Sequence, residues 1–253
     1  MKQCIWCSRN EEDVPFEKKA HTIPKSLGGK HLCKDVCDLC NHYFGSPMPN
    51  LPSVELVFKE VFNISRFFLL DASNEREKIG RYKSEFFNIN WNARTIRTKP
   101  KYSLKNHFQE KMGRQFKRAI YKVFLEDRAR MIGDAHDEKF NFIREFARYD
   151  LVDYPLFYFT PANGAIFFSS QDAIHPEIRF SEHHERIIKE YRFYEFSLMG
   201  HFFAIPTTSK FDLFKNEYVK YCKSEHSQLY SKMIEVKRLN QVDFTFSFMN
   251  EKK

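Results

Sequence analysis

The sequence predicts an α+β protein built from a metal-clamped N-terminal module, a helical middle and a β-rich C-terminal region. Three observations predict it. Five of the six cysteines, Cys4, Cys7, Cys33, Cys37 and Cys40, crowd into the first forty residues. Apolar residues recur at helical spacing from Ser103 to about Met131. Beyond Pro155, short aromatic runs alternate with turn residues.

Residues 1–50 are rich in Cys, His, Gly and Pro and poor in apolar periodicity, so something other than a conventional core must hold them, and beside buried free thiols or a redox pair the cheapest candidate is a bound metal. Two C-x2-C pairs, Cys4/Cys7 and Cys37/Cys40, supply it. Each pair brings two sulfurs to one ion from a tight turn, and four sulfurs complete a closed tetrahedral zinc site with a structural role. Cys33, four residues before Cys37, competes as a ligand, whereas Cys222 reads as a buried thiol.

The prolines of residues 46–52 predict a loop, after which Ser53 caps a helix with Val54, Val57, Phe58, Val61, Phe62, Ser65, Phe68 and Leu69 on its buried stripe. Residues 83–99 predict a hairpin turning at Asn90–Asn92. In the long middle helix Phe108, Met112, Phe116, Ala119, Ile120 and Val123 form the apolar stripe. Gly133–His136 ends it, and a second helix follows over 137–149. Three regions result: 1–50, 51–150 and 151–253, the last positioning substrate, partner or regulator.

A formal charge of +8 suits a polyanionic partner. No signal-peptide run and no membrane-length apolar segment occurs, which predicts a soluble cytoplasmic protein with reduced thiols and no membrane partner. On the long helix Lys111, Arg114, Arg118 and Lys122 fall at steps of three and four, a row suited to phosphates. Lys18, Lys19, Lys25 and Lys30 lie inside the N-terminal module. Of the late aromatics, Phe157, Tyr158, Phe159, Phe167, Phe168, Phe202 and Phe203 read as sheet core rather than stacking platforms for single strands. His107, His136, His175, His183, His184, His201 and His226 read as ordinary surface or packed residues.

Between the cysteine pairs runs Ala20-His21-Thr22-Ile23-Pro24-Lys25-Ser26-Leu27-Gly28-Gly29, then Asp35-Val36-Cys37-Asp38-Leu39-Cys40-Asn41-His42-Tyr43-Phe44-Gly45. This pattern resembles the HNH endonuclease family over roughly residues 4–45. The resemblance implies a ββα-metal finger: a strand ending at His21, a loop turned by Gly28 and Gly29, a second strand near Asp35 and a helix opening at Asn41. It implies that His21 is the general base for hydrolysis of nucleic acid, double-stranded DNA above all, and that Asn41 helps hold one Mg2+ or Mn2+. The chemistry agrees, because an imidazole exchanges protons near neutral pH and a hard cation prefers oxygen ligands.

Two positions depart from the family. Ala20 stands where an acid or histidine usually ligates metal, and Asp35 stands where the motif has Asn. Asp35, Glu17 and His42 are the candidates to fill the gap. The rival reading is a zinc-dependent nucleic-acid-binding protein with weak or no cleavage.

Overall fold

The computed structural model describes residues 2–72, 84–90, 95–99, 105–161, 174–225 and 230–242. The expected run at 165–170 with Phe167 and Phe168, His226 and most of the hairpin turn lie outside the described residues, as do the side chains of Ser65, Phe68 and Leu69.

The module opens with a turn at Cys4–Ser8, where Ser8 has a positive φ of 57°. An isolated antiparallel bridge, His21 to Leu32, stands in place of the strand expected to end at His21, and Asp35, expected near a second strand, lies in a turn. Helix α1 spans Asp38–Gly45 with Cys37 as its N-cap. It therefore begins three residues before Asn41, a correction with a local cause: the Asn41 N–H already bonds the Cys37 carbonyl at 3.0 Å, which closes the first turn over both cysteines.

Helix α2 covers Val54–Ala72. Ser53 caps it through its hydroxyl, which accepts from the Leu56 N–H at 3.2 Å, and Val54, Val57, Phe58, Val61 and Phe62 are buried as the stripe predicts. Strands β1 (Phe87–Asn90) and β2 (Thr95–Thr98) pair antiparallel. Helix α3 runs Asn106–Met131 and stops at Gly133, whose φ of 81° and N–H bond to the Arg128 carbonyl close the end. A short helix, α4, follows at Asn141–Ala147.

The C-terminal region holds a sheet of order β4-β5-β6-β3-β7 among the described residues. Its strands are β3 (Phe157–Pro161), β4 (Ile178–Phe180), β5 (Phe193–Leu198), β6 (His201–Pro206) and β7 (Tyr230–Glu235), and every neighbouring pair is antiparallel. Met199 and Gly200 both take positive φ, 50° and 79°, which matches the twist of a two-residue hairpin between β5 and β6. Helices α5 (His184–Tyr191) and α6 (Asp212–Glu225) accompany it.

Strand alternation places Phe157, Phe159, Phe193 and Ala204 against Ile187, Tyr218 and Cys222 of α5 and α6. The opposite face sends Tyr158, Tyr194, Phe196 and Phe203 into the main core with α3. A sheet covered on both faces has no polar side to show, which is why its strands read as dense aromatic runs. Phe202 is the exception, 38% exposed. The main core runs from Cys4 to Val242 and includes residues of all three regions.

Candidate active site

Two turns carry the sulfurs. Cys4 and Cys7 sit in the opening turn, and Cys37 and Cys40 sit at the start of α1. All four sulfurs lie within 4.8 Å of one another, and none is in a disulfide. The Cys7 and Cys37 sulfurs stand 3.7 Å apart, the Cys37 N–H donates to the Cys4 sulfur at 3.4 Å, and Arg148 Nε donates to the Cys40 sulfur at 3.3 Å.

Four thiols this close do not all ionise unaided. A hydrogen bond from Cys40 pulls the Cys4 thiol down to about 5. The same contact, with burial, pushes Cys40 up, and burial pushes Cys37 up to about 11. A dication resolves the conflict by supplying the positive charge, and the four-sulfur set fits structural zinc. Cys33 does not join the cluster. It is buried beneath the bridge, its N–H bonded to the Ala20 carbonyl at 2.9 Å, and burial pushes its thiol up.

The bridge sets the direction of His21. Neighbours on an extended segment point to opposite faces. His21 and Leu32 are half-buried on one side, while Ala20, Thr22 and Cys33 are buried on the other. The loop between depends on both glycines of the motif. Gly28 has φ 94°, and a Cβ on Gly29 would stand 1.9 Å from the Ile23 carbonyl oxygen.

Asn41 is half-buried on α1. His42 is exposed, with its ring against the Ser46 hydroxyl at 3.1 Å, and Glu17 is exposed. Asp35 is half-buried, and its carbonyl accepts from the Ile5 N–H at 2.9 Å. His21, Asp35 and His42 do not form a second three-ligand cluster among the described residues, where the four cysteines are the one such group.

Lys18, Lys19, Lys25, Lys30 and Lys111 are exposed. The basic row on α3 is corrected. Arg118 and Lys122 are 0% and 2% exposed, because α3 is covered all round from Gln115 to Asp127. Arg118 donates to the Tyr43 hydroxyl at 2.5 Å and the Ala147 carbonyl at 3.1 Å. Lys122 pairs with Glu126 at 2.9 Å and Glu55 at 3.2 Å and donates to the His21 carbonyl at 3.2 Å. Arg114 is half-buried and paired with Asp150 at 2.7 Å and Asp153 at 3.1 Å.

These contacts reveal residues that sequence reasoning missed. Trp6 Nε1 donates to Glu126 at 3.1 Å, so one buried carboxylate serves both the first cysteine turn and Lys122. Burial pushes Glu126 up to about 7 against the pull of Lys122. Burial works against the charge on Lys122 as well, but Glu126 and Glu55 hold it protonated. The i, i+4 spacing of Lys122 and Glu126 was a visible signal; Glu55 and Trp6 left none.

Residues 4–51 match the family model described as HNH endonuclease. Comparison with curated proteins yields no match, and comparison with solved structures yields none. The matched segment begins at the first sulfur of the clamp and ends at the bridge residue Leu51, just before α2. Residues 4–51 of this chain are an HNH endonuclease domain held on a four-cysteine cluster.

Proposed function

We propose that the chain is a divalent-metal-dependent endonuclease that hydrolyses phosphodiester bonds of nucleic acid, with double-stranded DNA as substrate and His21 as general base. The observation that carries this reading is the placement of His21: within the matched segment, half-buried and turned away from the core beside Leu32. The reduced thiols of the cluster suit a cytoplasmic setting.

In this reading His21 takes a proton from water as the water oxygen attacks phosphorus and the bond to the leaving oxygen breaks. Lys18, Lys19, Lys25 and Lys30 hold the backbone by charge. Asn41 offers an amide oxygen to one Mg2+ or Mn2+, with Asp35 and His42 as further candidate ligands. Such an ion supplies positive charge at the scissile phosphate and the leaving oxygen. The donor set is thin, since Ala20 offers nothing and His21, Asp35 and His42 are not gathered among the described residues, so Asn41 would hold such an ion only weakly.

Plasmid nicking in Mg2+ or Mn2+ tests the reading. Wild type is expected to nick, and His21→Ala to lose roughly 100-fold or more of that activity. Nicking that survives the substitution overturns the assignment of His21. A second reading, a nucleic-acid-binding protein without cleavage, draws on the buried Ala20 methyl and the ungathered ligands. Binding without nicking by wild type would favour it.

A further inference from the structure

The HNH domain and the C-terminal sheet meet in a crevice. Lys30 and His31 of the domain face His175, Pro176, Glu177 and Arg179 across a cavity of about 280 Å3. The crevice narrows inward between Thr22, Asp127 and Arg130. Its walls are pressed together at the glycine loop, where a Cβ on Gly28 would stand 2.6 Å from the Ile174 carbonyl oxygen. The Thr22 N–H bonds the His31 carbonyl at 3.1 Å, so the crevice begins one residue from His21.

The polar groups of the crevice are short of acceptors. Both acids are engaged: Glu177 lies 2.5 Å from His31 Nε2, and Asp127 lies 2.7 Å from Arg130. Lys30 Nζ lies 3.0 Å from His175 Nε2. An ammonium has no lone pair, so that ring nitrogen accepts and the proton of a neutral His175 sits on Nδ1. His175 Nδ1 is buried without a partner, and so are Arg130 Nε and the hydroxyl of Thr22, a residue only 2% exposed. A wall with paired acids, a lysine and orphan donors lacks acceptors, and an oxyanion supplies them. A metal cation would find no unengaged carboxylate among these residues.

We propose that this crevice is a phosphate-binding site at the seam, holding a backbone phosphate of the strand on which the His21 site acts. The proposal rests on the nuclease reading above. The phosphate sits in the wide mouth on Lys30 and Arg179, with the His175 ring holding Lys30 Nζ in place and its Nδ1 buried behind. Thr22 and Arg130 lie at the narrow end, and deeper entry requires the walls to part.

Binding of a short labelled duplex, followed by fluorescence anisotropy across a salt series, tests this on a His21→Ala background so that no strand is cut. Arg179 is exposed on the edge strand β4, and the melting temperature of Arg179→Glu checks that the variant keeps its fold. The variant is expected to weaken binding roughly tenfold and to lower the salt slope by about one, the share of one phosphate contact. His175→Ala is expected to weaken it about threefold, because Lys30 Nζ loses the ring nitrogen that positions it. Unchanged affinity and slope in both variants, with tight binding by the parent, overturns the crevice and leaves the role of His21 standing. Thermal stabilisation of the parent but not of Arg179→Glu by orthophosphate, with duplex affinity unchanged, assigns the site to a free phosphate and overturns the strand assignment. A parent that binds no duplex overturns both this proposal and the nuclease reading.

Discussion

Lys122 Nζ lies 3.2 Å from the carbonyl oxygen of His21, in a buried network that also holds Glu126, Glu55 and Trp6. The central helix thus grips the domain at its proposed catalytic residue. Lys122→Met strands Glu126 without its ammonium and is expected to cost on the order of 3 kcal/mol in denaturant unfolding. Lys122→Met with Glu126→Gln removes both charges while keeping an acceptor for Trp6 Nε1, and should recover most of the loss. A single variant as stable as wild type would show that the network does not brace the domain.

The sulfur cluster predicts about one tightly held zinc per chain by elemental analysis. Cys37→Ser with Cys40→Ser should abolish it, and chelation of wild type should lower the melting temperature, because α1 begins on the sulfurs. Purified wild type without zinc would refute the clamp.

Ala20 is 2% exposed beside Cys33, whose thiol feels the charge of Glu126. A carboxylate there is buried near another acid. Ala20→Asp is expected to destabilise the metal-free chain by about 2 kcal/mol. If the position is a vacant ligand site, Mn2+ should restore its melting temperature and raise nicking. A melting temperature indifferent to Mn2+ would mean that residue 20 does not face the ion.

His201 packs between Phe62 and Phe203 with Nδ1 3.1 Å from the Tyr158 hydroxyl, and burial lowers it to about 4. Between about pH 6.5 and 4 the unfolded chain binds this proton and the folded chain does not. Stability therefore falls as the pH drops through that window, by up to about 3 kcal/mol from this group. Denaturant unfolding over a pH series should show the slope reduced in His201→Phe. An equal slope in the variant would place the proton uptake elsewhere.

Gly29→Ala drives a methyl into the Ile23 carbonyl and should disrupt the loop between His21 and Leu32. A loss of more than about 2 kcal/mol is expected. Wild-type stability would mean that the loop shifts freely.

The sequence by itself determined whatever depends on neighbours along the chain. The two C-x2-C turns, the Ser53 cap, the α3 stripe and, among the described residues, the alternating aromatic strands are short-range patterns, and each stands where spacing put it. Tertiary structure alone decided what covers the polar faces. Helical periodicity marks the apolar side of α3, but it does not say whether another element seals the other side. The HNH domain does so, which turns Arg118 and Lys122 from prospective phosphate ligands into buried braces. The same holds for Ala20, whose alternation with His21 sends it inward, and for His175, which meets Lys30 across 145 residues of chain. Contacts at that separation arise only when the core closes.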